Sequence, residues 1–170
     1  METHSDILAM RYARALLGYV SCPSDAAFAV RLGAFAGFME LNRYRFSCAD
    51  PMVYAEVARS FALDALRVDL MVKLLVERGR ISIFPEVMRH VFAIYKRQHQ
   101  MLFCTLKTSH ELTADQKEAI ITHIEHTSGK QVLFSASVDR GLIAGIRVEG
   151  DEMVWESSVA RQLRAIEQLQ

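Results

Sequence analysis

Net charge is the first thing this sequence lacks. It carries 20 basic and 20 acidic residues, so no global field draws in nucleic acid or an anionic membrane. The basic residues are scattered among acids, with no aromatic-interleaved patch, which leaves nucleic-acid binding unsupported. Paired cysteines are lacking too. Cys22, Cys48 and Cys104 are odd in number and widely spaced, with no CxxC. That excludes a zinc ribbon or dithiol redox motif and reads as free thiols in a reducing compartment. No apolar run reaches the roughly 18 residues a membrane helix needs. The first 20 residues do not form a secretory signal, because Glu2 and Asp6 precede an interrupted apolar part. The same acids argue against a transit peptide, although Arg11 and Arg14 would suit one. Repeats and low-complexity segments are missing as well.

Catalytic constellations are equally scarce. No serine sits in a GxSxG elbow, and no GxGxxG follows a strand. TSGK, residues 127–130, resembles the tail of a phosphate loop, but its upstream glycine is missing and a helix precedes it. A helix C-cap explains it better. His123 and His126 stand three apart on a helix, a spacing that could bring two imidazoles to one ion. They lack a third ligand and the HExxH order, and a solvated polar face opposite Ile120, Ile121 and Ile124 accounts for them. His90 reads as the i,i+4 partner of Glu86. The chain is expected to hold no cofactor and no metal.

What remains is a chain built to fold. Hydrophobic residues make up 51% and charged ones 24% of its 170 residues, enough for one large or two small units with real cores. The first hundred residues read as successive helices. Residues 7–20 carry two apolar stripes, one of Leu8, Tyr12, Ala15 and Tyr19, the other of Ile7, Met10, Ala13, Leu17 and Val20. A helix wet on one side needs only one stripe. Ser24 is expected to cap a second helix reaching Leu41, with Phe28, Leu32, Phe35, Ala36 and Met39 inward. Residues 42–49 form a short connecting piece. Asp50-Pro51 starts the next helix, since Asp accepts from free amides and Pro suits the first turn. It carries Val53, Val57, Phe61 and Leu66. Helices over 68–78, stopping at Gly79, and over 83–100, with Val87, Val91, Ile94 and Tyr95 on one side, complete the run.

The periodicity then changes. Residues 101–109 read as a strand. Thr113 and Gln116 form a capping box for a helix ending at Ser128-Gly129. Residues 130–139 and 142–148 read as strands joined by a turn at Asp139-Arg140-Gly141, where Gly141 supplies a positive φ. A short strand over 152–155 and a last helix from Ser157 or Ser158 follow, the helix bearing Val159, Leu163, Ile166 and Leu169. The fold class is α+β: a helical bundle over 1–104, then a small α/β domain over 105–170.

The two-sided first helix has two explanations. It is buried all round, or one stripe meets the bundle while the other lines a groove for a helical partner. On residues alone a helical adaptor or regulator of any kind remains open.

One stretch narrows the choice. VDRGLIAGIRVEGDE, residues 138–152, resembles the signature of the ATP synthase delta subunit / oligomycin-sensitivity-conferring protein family. That signature has an acidic turn, then Leu-Ile-Gly-Gly-aliphatic, then a short strand ending at Gly-Asp. Asp139, Leu142, Ile143, Gly145, Ile146, Val148, Gly150 and Asp151 match it, and Ala144 stands where the first glycine often is. YARALL (12–17), ERGRISIFPEV (77–87) and SSVARQLRAI (157–166) are similar to other family stretches in order and spacing, with Phe84 in place of Leu.

The resemblance implies a six-helix amino-terminal bundle that sits on the catalytic head and grips amino-terminal helices of the ATP synthase alpha subunit. It implies a carboxy-terminal domain that receives the peripheral-stalk b subunits. Such a chain is a non-catalytic stator component in proton-driven ATP synthesis, peripheral at the cytoplasmic face of a bacterial inner membrane. On this reading Ile7, Met10, Ala13, Leu17, Met71, Leu75 and Arg78 contact alpha. Leu142, Ile143, Gly145 and Ile146 are the signature residues expected near b.

Overall fold

The computed structural model describes residues 4–43, 50–63, 67–150 and 154–162. The chain divides into two compact units, Met1–His99 and Gln100–Gln170. This division lies ahead of the expected 104/105 boundary, because residues 101–104 already pair in a strand.

The described part of the first unit contains five α-helices: α1 (His4–Tyr19), α2 (Ala26–Leu41), α3 (Pro51–Ser60), α4 (Val68–Glu77) and α5 (Phe84–Gln98). A 3-10 turn over Ile81–Ile83 leads into α5. A six-helix count is therefore not reproduced among the described residues; the short piece at 44–49 lies outside them. Local chemistry sets the helix starts. Asp50 Oδ1 accepts from the Met52 amide at 2.9 Å, with Pro51 in the first turn. Asp25, not Ser24, caps α2, accepting from the Ala27 amide at 3.2 Å. It is the residue directly before the first helical turn, so its carboxylate reaches the free N–H groups.

Helix α5 is central, packing against both α1 and α2. It buries Val87, Met88, Val91 and Tyr95, while Ile94 is half-buried. α2 buries all five residues expected of it, Phe28, Leu32, Phe35, Ala36 and Met39. Aromatic rings fill the space between helices: Tyr54 stands edge-on to Phe84 at 5.0 Å, and Phe28 meets Tyr95 at 5.5 Å. Each fully buried large side chain contributes about 1.5–3 kcal/mol relative to exposure. The Tyr95 hydroxyl donates to the Pro23 carbonyl at 2.5 Å, so the ring is buried without orphaning its polar end.

α3 differs from its expected pattern. It stops at Ser60, and the chain turns through Ala62 with φ of 52°. Its buried face is Tyr54 and Ala58, continued by Leu63, while Val53, Val57 and Phe61 are half-buried. Leu66 lies outside the described residues.

The second unit is a four-stranded sheet with one helix across it: β1 (Met101–Thr108), α6 (Ala114–Ser128), β2 (Gln131–Val138), β3 (Gly145–Gly150) and β4 (Val154–Ser158). Strand order is β2-β1-β3-β4. β1 and β2 are parallel, which requires a crossover that α6 supplies. β1–β3 and β3–β4 are antiparallel. The two strands expected to be joined by a turn are thus not neighbours, since β1 lies between them. Thr113 and Gln116 form the capping box, and Gly129 takes the left-handed C-cap with φ of 66°. TSGK is therefore a helix terminus. Ser158 Oγ accepts from the Arg161 amide at 3.1 Å, opening a helical turn at 159–162.

Register sets the two sheet faces. Leu102, Cys104 and Leu106 of β1, Val132 of β2 and Val148 of β3 join Ile124 of α6 in the core. Lys107, Arg147 and Glu149 occupy the opposite face, with Lys107 Nζ and Arg147 Nε each 2.8 Å from the Glu149 carboxylate. The Lys107 hydrogen bond, working against desolvation, holds the Glu149 carboxyl below its ordinary value. No helix among the described residues is long and apolar enough to cross a membrane.

Candidate functional site

A protein-docking surface must be apolar and exposed, so burial sorts the expected contact residues. On α1 the inward ridge is Ala9, Ala13 and Leu16, spaced i, i+4, i+7. It runs between the two stripes read from sequence, which is why Ala13 turns out to be buried. The alanines let α5 approach closely. Asp6 then ties the start of α1 to α5: its Oδ1 accepts from Arg89 Nη2 at 2.5 Å and from His90 Nε2 at 2.8 Å. His90 therefore bonds across helices to Asp6, while Glu86 lies 3.7 Å from Arg43. The His90 hydrogen bond outweighs desolvation and, with Arg89, holds the Asp6 carboxyl below its ordinary range.

Ile7 is exposed, and Met10 and Leu17 are half-buried, so the outer side of α1 retains these three. α4 splits the same way. Met71 and Leu75 are buried with Val72, whereas Leu70, Leu74 and Val76 are exposed. Arg78, the C-cap of α4, is exposed. α1 packs mainly on α5, and α4 mainly on α3. A bond from Arg80 Nη1 to the Tyr12 hydroxyl, 3.3 Å, links α1 to the chain just after α4. Of the seven residues expected at the alpha contact, Ala13, Met71 and Leu75 thus lie under the surface and the other four reach it. Leu70 and Leu74 are apolar surface residues that the sequence reading passed over. Their i,i+4 spacing was visible, and the polar row of Asp69, Lys73 and Glu77, opposite Met71 and Leu75 and beside Leu70 and Leu74, already marks the wet side of α4.

In the second unit the signature builds a tight connection between β2 and β3. Asp139 Oδ1 accepts from the Gly141 amide at 2.9 Å and starts a 3-10 turn over Arg140–Leu142. Leu142 is buried. The chain then reverses about Ile143, at φ 62° and ψ −62°, with the Ala144 amide bonded to the Leu142 carbonyl at 2.7 Å. The positive φ falls on this β-branched residue and not on Gly141. Such a three-residue turn is strained, and more so with a side chain branched at Cβ. Ile143 is also 62% exposed. Gly145 has a different task. At φ of 106°, an added Cβ would lie 2.1 Å from the Ser157 carbonyl oxygen. Its missing side chain lets β4 pair against β3, so Gly145 serves its own sheet. Ile146 packs against the core cluster.

His123 lines a largely apolar cavity of about 260 Å³ with Ile124, Thr127, Val148 and Trp155. His126 is exposed on the same helix. Among the described residues no group of three or more His, Cys, Asp or Glu side chains is placed to hold an ion. Cys104 is buried and Cys22 half-buried, neither of them in a disulfide; burial pushes the Cys22 thiol up. Cys48 lies outside the described residues.

The surfaces on offer are therefore apolar patches in both units. The profile of the family described as ATP synthase delta (OSCP) subunit matches residues 8–169. ATP synthase subunit delta of Geobacter metallireducens is 28% identical over 97% of each chain, and that of Geobacter sp. strain M21 is 29% identical over 97% of each. The sodium ion specific delta subunit of Propionigenium modestum is 34% identical over 54% of this chain and 53% of its own. Among solved structures, a chain of the Toxoplasma gondii mitochondrial ATP synthase hexamer shares the fold at a TM-score of 0.64 and 18% identity, covering 95% of this chain and 96% of that one. With the sheet, the signature turn and all but the first turn of α1 inside a match that spans nearly its whole length, this chain belongs to the ATP synthase delta (OSCP) family.

Proposed function

We propose that this protein is a non-catalytic stator subunit of a rotary ATP synthase, joining the top of the catalytic head to the peripheral stalk. The observation that carries the reading is the family match over residues 8–169. A rotary machine makes ATP only while its head is kept from turning with the shaft, so the connector has to resist torque and release slowly. Slow release comes from buried apolar contact; rim charges are screened and exchange quickly.

The first unit takes amino-terminal helices of the alpha subunit. Ile7, Met10 and Leu17 of α1, with Leu70, Leu74 and Arg78 of α4, supply the contact, while Ala13, Met71 and Leu75 support it from beneath. An amphipathic helix suits such a surface because its apolar face covers exposed side chains and its backbone needs no partner. The second unit takes the b subunits, with Ile143 presented outward from its strained turn. Energy held in a turn persists where the presented side chain has a use. The protein is peripheral, at the cytoplasmic face of a bacterial inner membrane, and is held there by its partners.

Affinity purification of the tagged chain tests the reading. Alpha, beta and b chains are expected to come down with it, and Leu74→Glu is expected to weaken alpha binding without unfolding the bundle. Recovery of the chain free of all three would remove the proposal.

A further inference from the structure

The edge of the sheet at β2 is unusually open. Its sequence, QVLFSASV, has no charged residue and no proline over Gln131–Val138. Sheet edges are ordinarily blunted by lysine, proline, a bulge or a covering element, because unpaired backbone groups invite another strand. Hydrogen bonds at its two ends fix which groups face outward. The Gln131 amide donates to the Gln100 carbonyl at 2.9 Å, and the Asp139 amide to the Thr108 carbonyl at 2.7 Å. Odd-numbered residues therefore bond to β1, and even-numbered ones point away from it. Of these, the Val132 amide is closed off by Glu125 Oε1 at 3.0 Å. The outward N–H and C=O groups of Phe134, Ala136 and Val138 have no partner among the described residues.

The side chains at the same three positions are exposed as well. Phe134 is 41% and Val138 49% exposed, on the sheet face that carries α6. Beside them a cavity of about 350 Å³ opens between β2 and the start of α6, of mixed character, lined by Thr108, Glu111, Leu112, Lys117, Ala136, Ser137 and Val138. The opposite face of the strand offers Ser135 and Ser137. A docked helix would cover the apolar groups and leave the outward backbone groups unmet. An extended segment satisfies both, since alternate side chains enter the cavity side while its backbone continues the ladder.

We propose that β2 is completed by strand addition: a partner contributes an extended segment, apolar at alternate positions and uncharged where it faces Phe134 and Val138, as a fifth strand. The inference rests on the stator reading for the partner's identity, the peripheral stalk, and adds the way it is held.

The test uses hydrogen exchange of the peptide covering residues 133–139, in the free chain and in the intact purified ATP synthase. Exchange there is expected to slow at least about tenfold in the complex. Ala136→Pro removes one outward N–H and leaves the β1 ladder intact; the folded variant is expected to keep the alpha chain, which the first unit takes, and to lose the b chains during washing. An unchanged exchange rate in the complex would overturn strand addition, as would a folded A136P that keeps its b chains. Protection that arises in the free chain as it dimerises would overturn the partner in favour of a second copy. Because retention of the wild-type chain is scored separately, an intact complex with an unprotected β2 sinks only this inference. Absence of the chain from the complex sinks the stator reading with it.

Discussion

The two units spend their aromatic residues differently. In the first, Phe28, Phe35, Tyr54, Phe84 and Tyr95 are buried and stack on one another. In the second, the core cluster of Leu102, Cys104, Leu106, Ile124, Val132 and Val148 contains no ring. Its Phe134 and Trp155 are 41% and 42% exposed at the two edges of the sheet. The first unit also leaves Tyr19 and Phe38 at its surface, but its interior is built on rings and the core of the second is not. On the stator reading the first unit is a preformed platform, and the second offers its edge rings for cover.

The single tryptophan, Trp155, reports on the second unit alone. Helical circular dichroism reports mainly on the first. The largest expected effect is from Phe84→Ala, which empties a site between Tyr54 and Phe35. It should cost about 3–5 kcal/mol, read as an earlier denaturant transition by dichroism with the tryptophan transition unmoved. Movement of both would mean that the units do not unfold separately. Gly145→Ala should also destabilise, but in the other unit. It forces a Cβ against the Ser157 backbone, where no flexible atom can yield. Overpacking costs about 1–3 kcal/mol, and the shift should appear in tryptophan emission alone.

A smaller effect, and a gain, is expected from Ile143→Gly. Relief of the positive φ outweighs the added freedom of glycine by about 0.5–1 kcal/mol. If Ile143 is presented to a partner, the same change should weaken b binding, so stability and affinity would move oppositely. Parallel movement would leave the turn purely structural. Smallest is an acid effect on the platform. Asp6 is held below its ordinary value near 3.8 by His90 and Arg89. A depressed carboxyl stabilises above the unfolded value and loses that contribution as pH falls through the folded one. Asp6→Asn should therefore flatten the dependence of helical stability on pH below about 4, where the unfolded carboxyl titrates. An unaltered slope would show that the tie between α1 and α5 is not felt energetically.

Helix starts and the change from helix to strand were legible because local chemistry sets them. Asp50-Pro51, the Thr113–Gln116 box and Gly129 need only their immediate neighbours. The inward face of α2 was equally readable from its periodicity. The inward face of α1 was not. On α1 two rows are apolar, and which is inward depends on α5, so Ala13 looks available and is buried. On α4 the charged row of Asp69, Lys73 and Glu77 already sets Met71 and Leu75 inward and Leu70 and Leu74 beside water, so that face was legible from spacing. Topology escaped for a reason related to that of α1. Nothing local in residues 130–148 says that β1 inserts between the two strands, so the open edge of β2 could not be anticipated. The signature glycines pointed to the right turn, but the strain falls on Ile143, two positions from the glycine on either side.

On the stator reading this chain transmits force and catalyses nothing. Its most direct test is reconstitution of ATP synthase vesicles stripped of the chain. Adding back the purified protein should restore gradient-driven ATP synthesis while leaving the hydrolysis rate of the isolated head unaltered. Vesicles that make ATP equally well without it would contradict the claim.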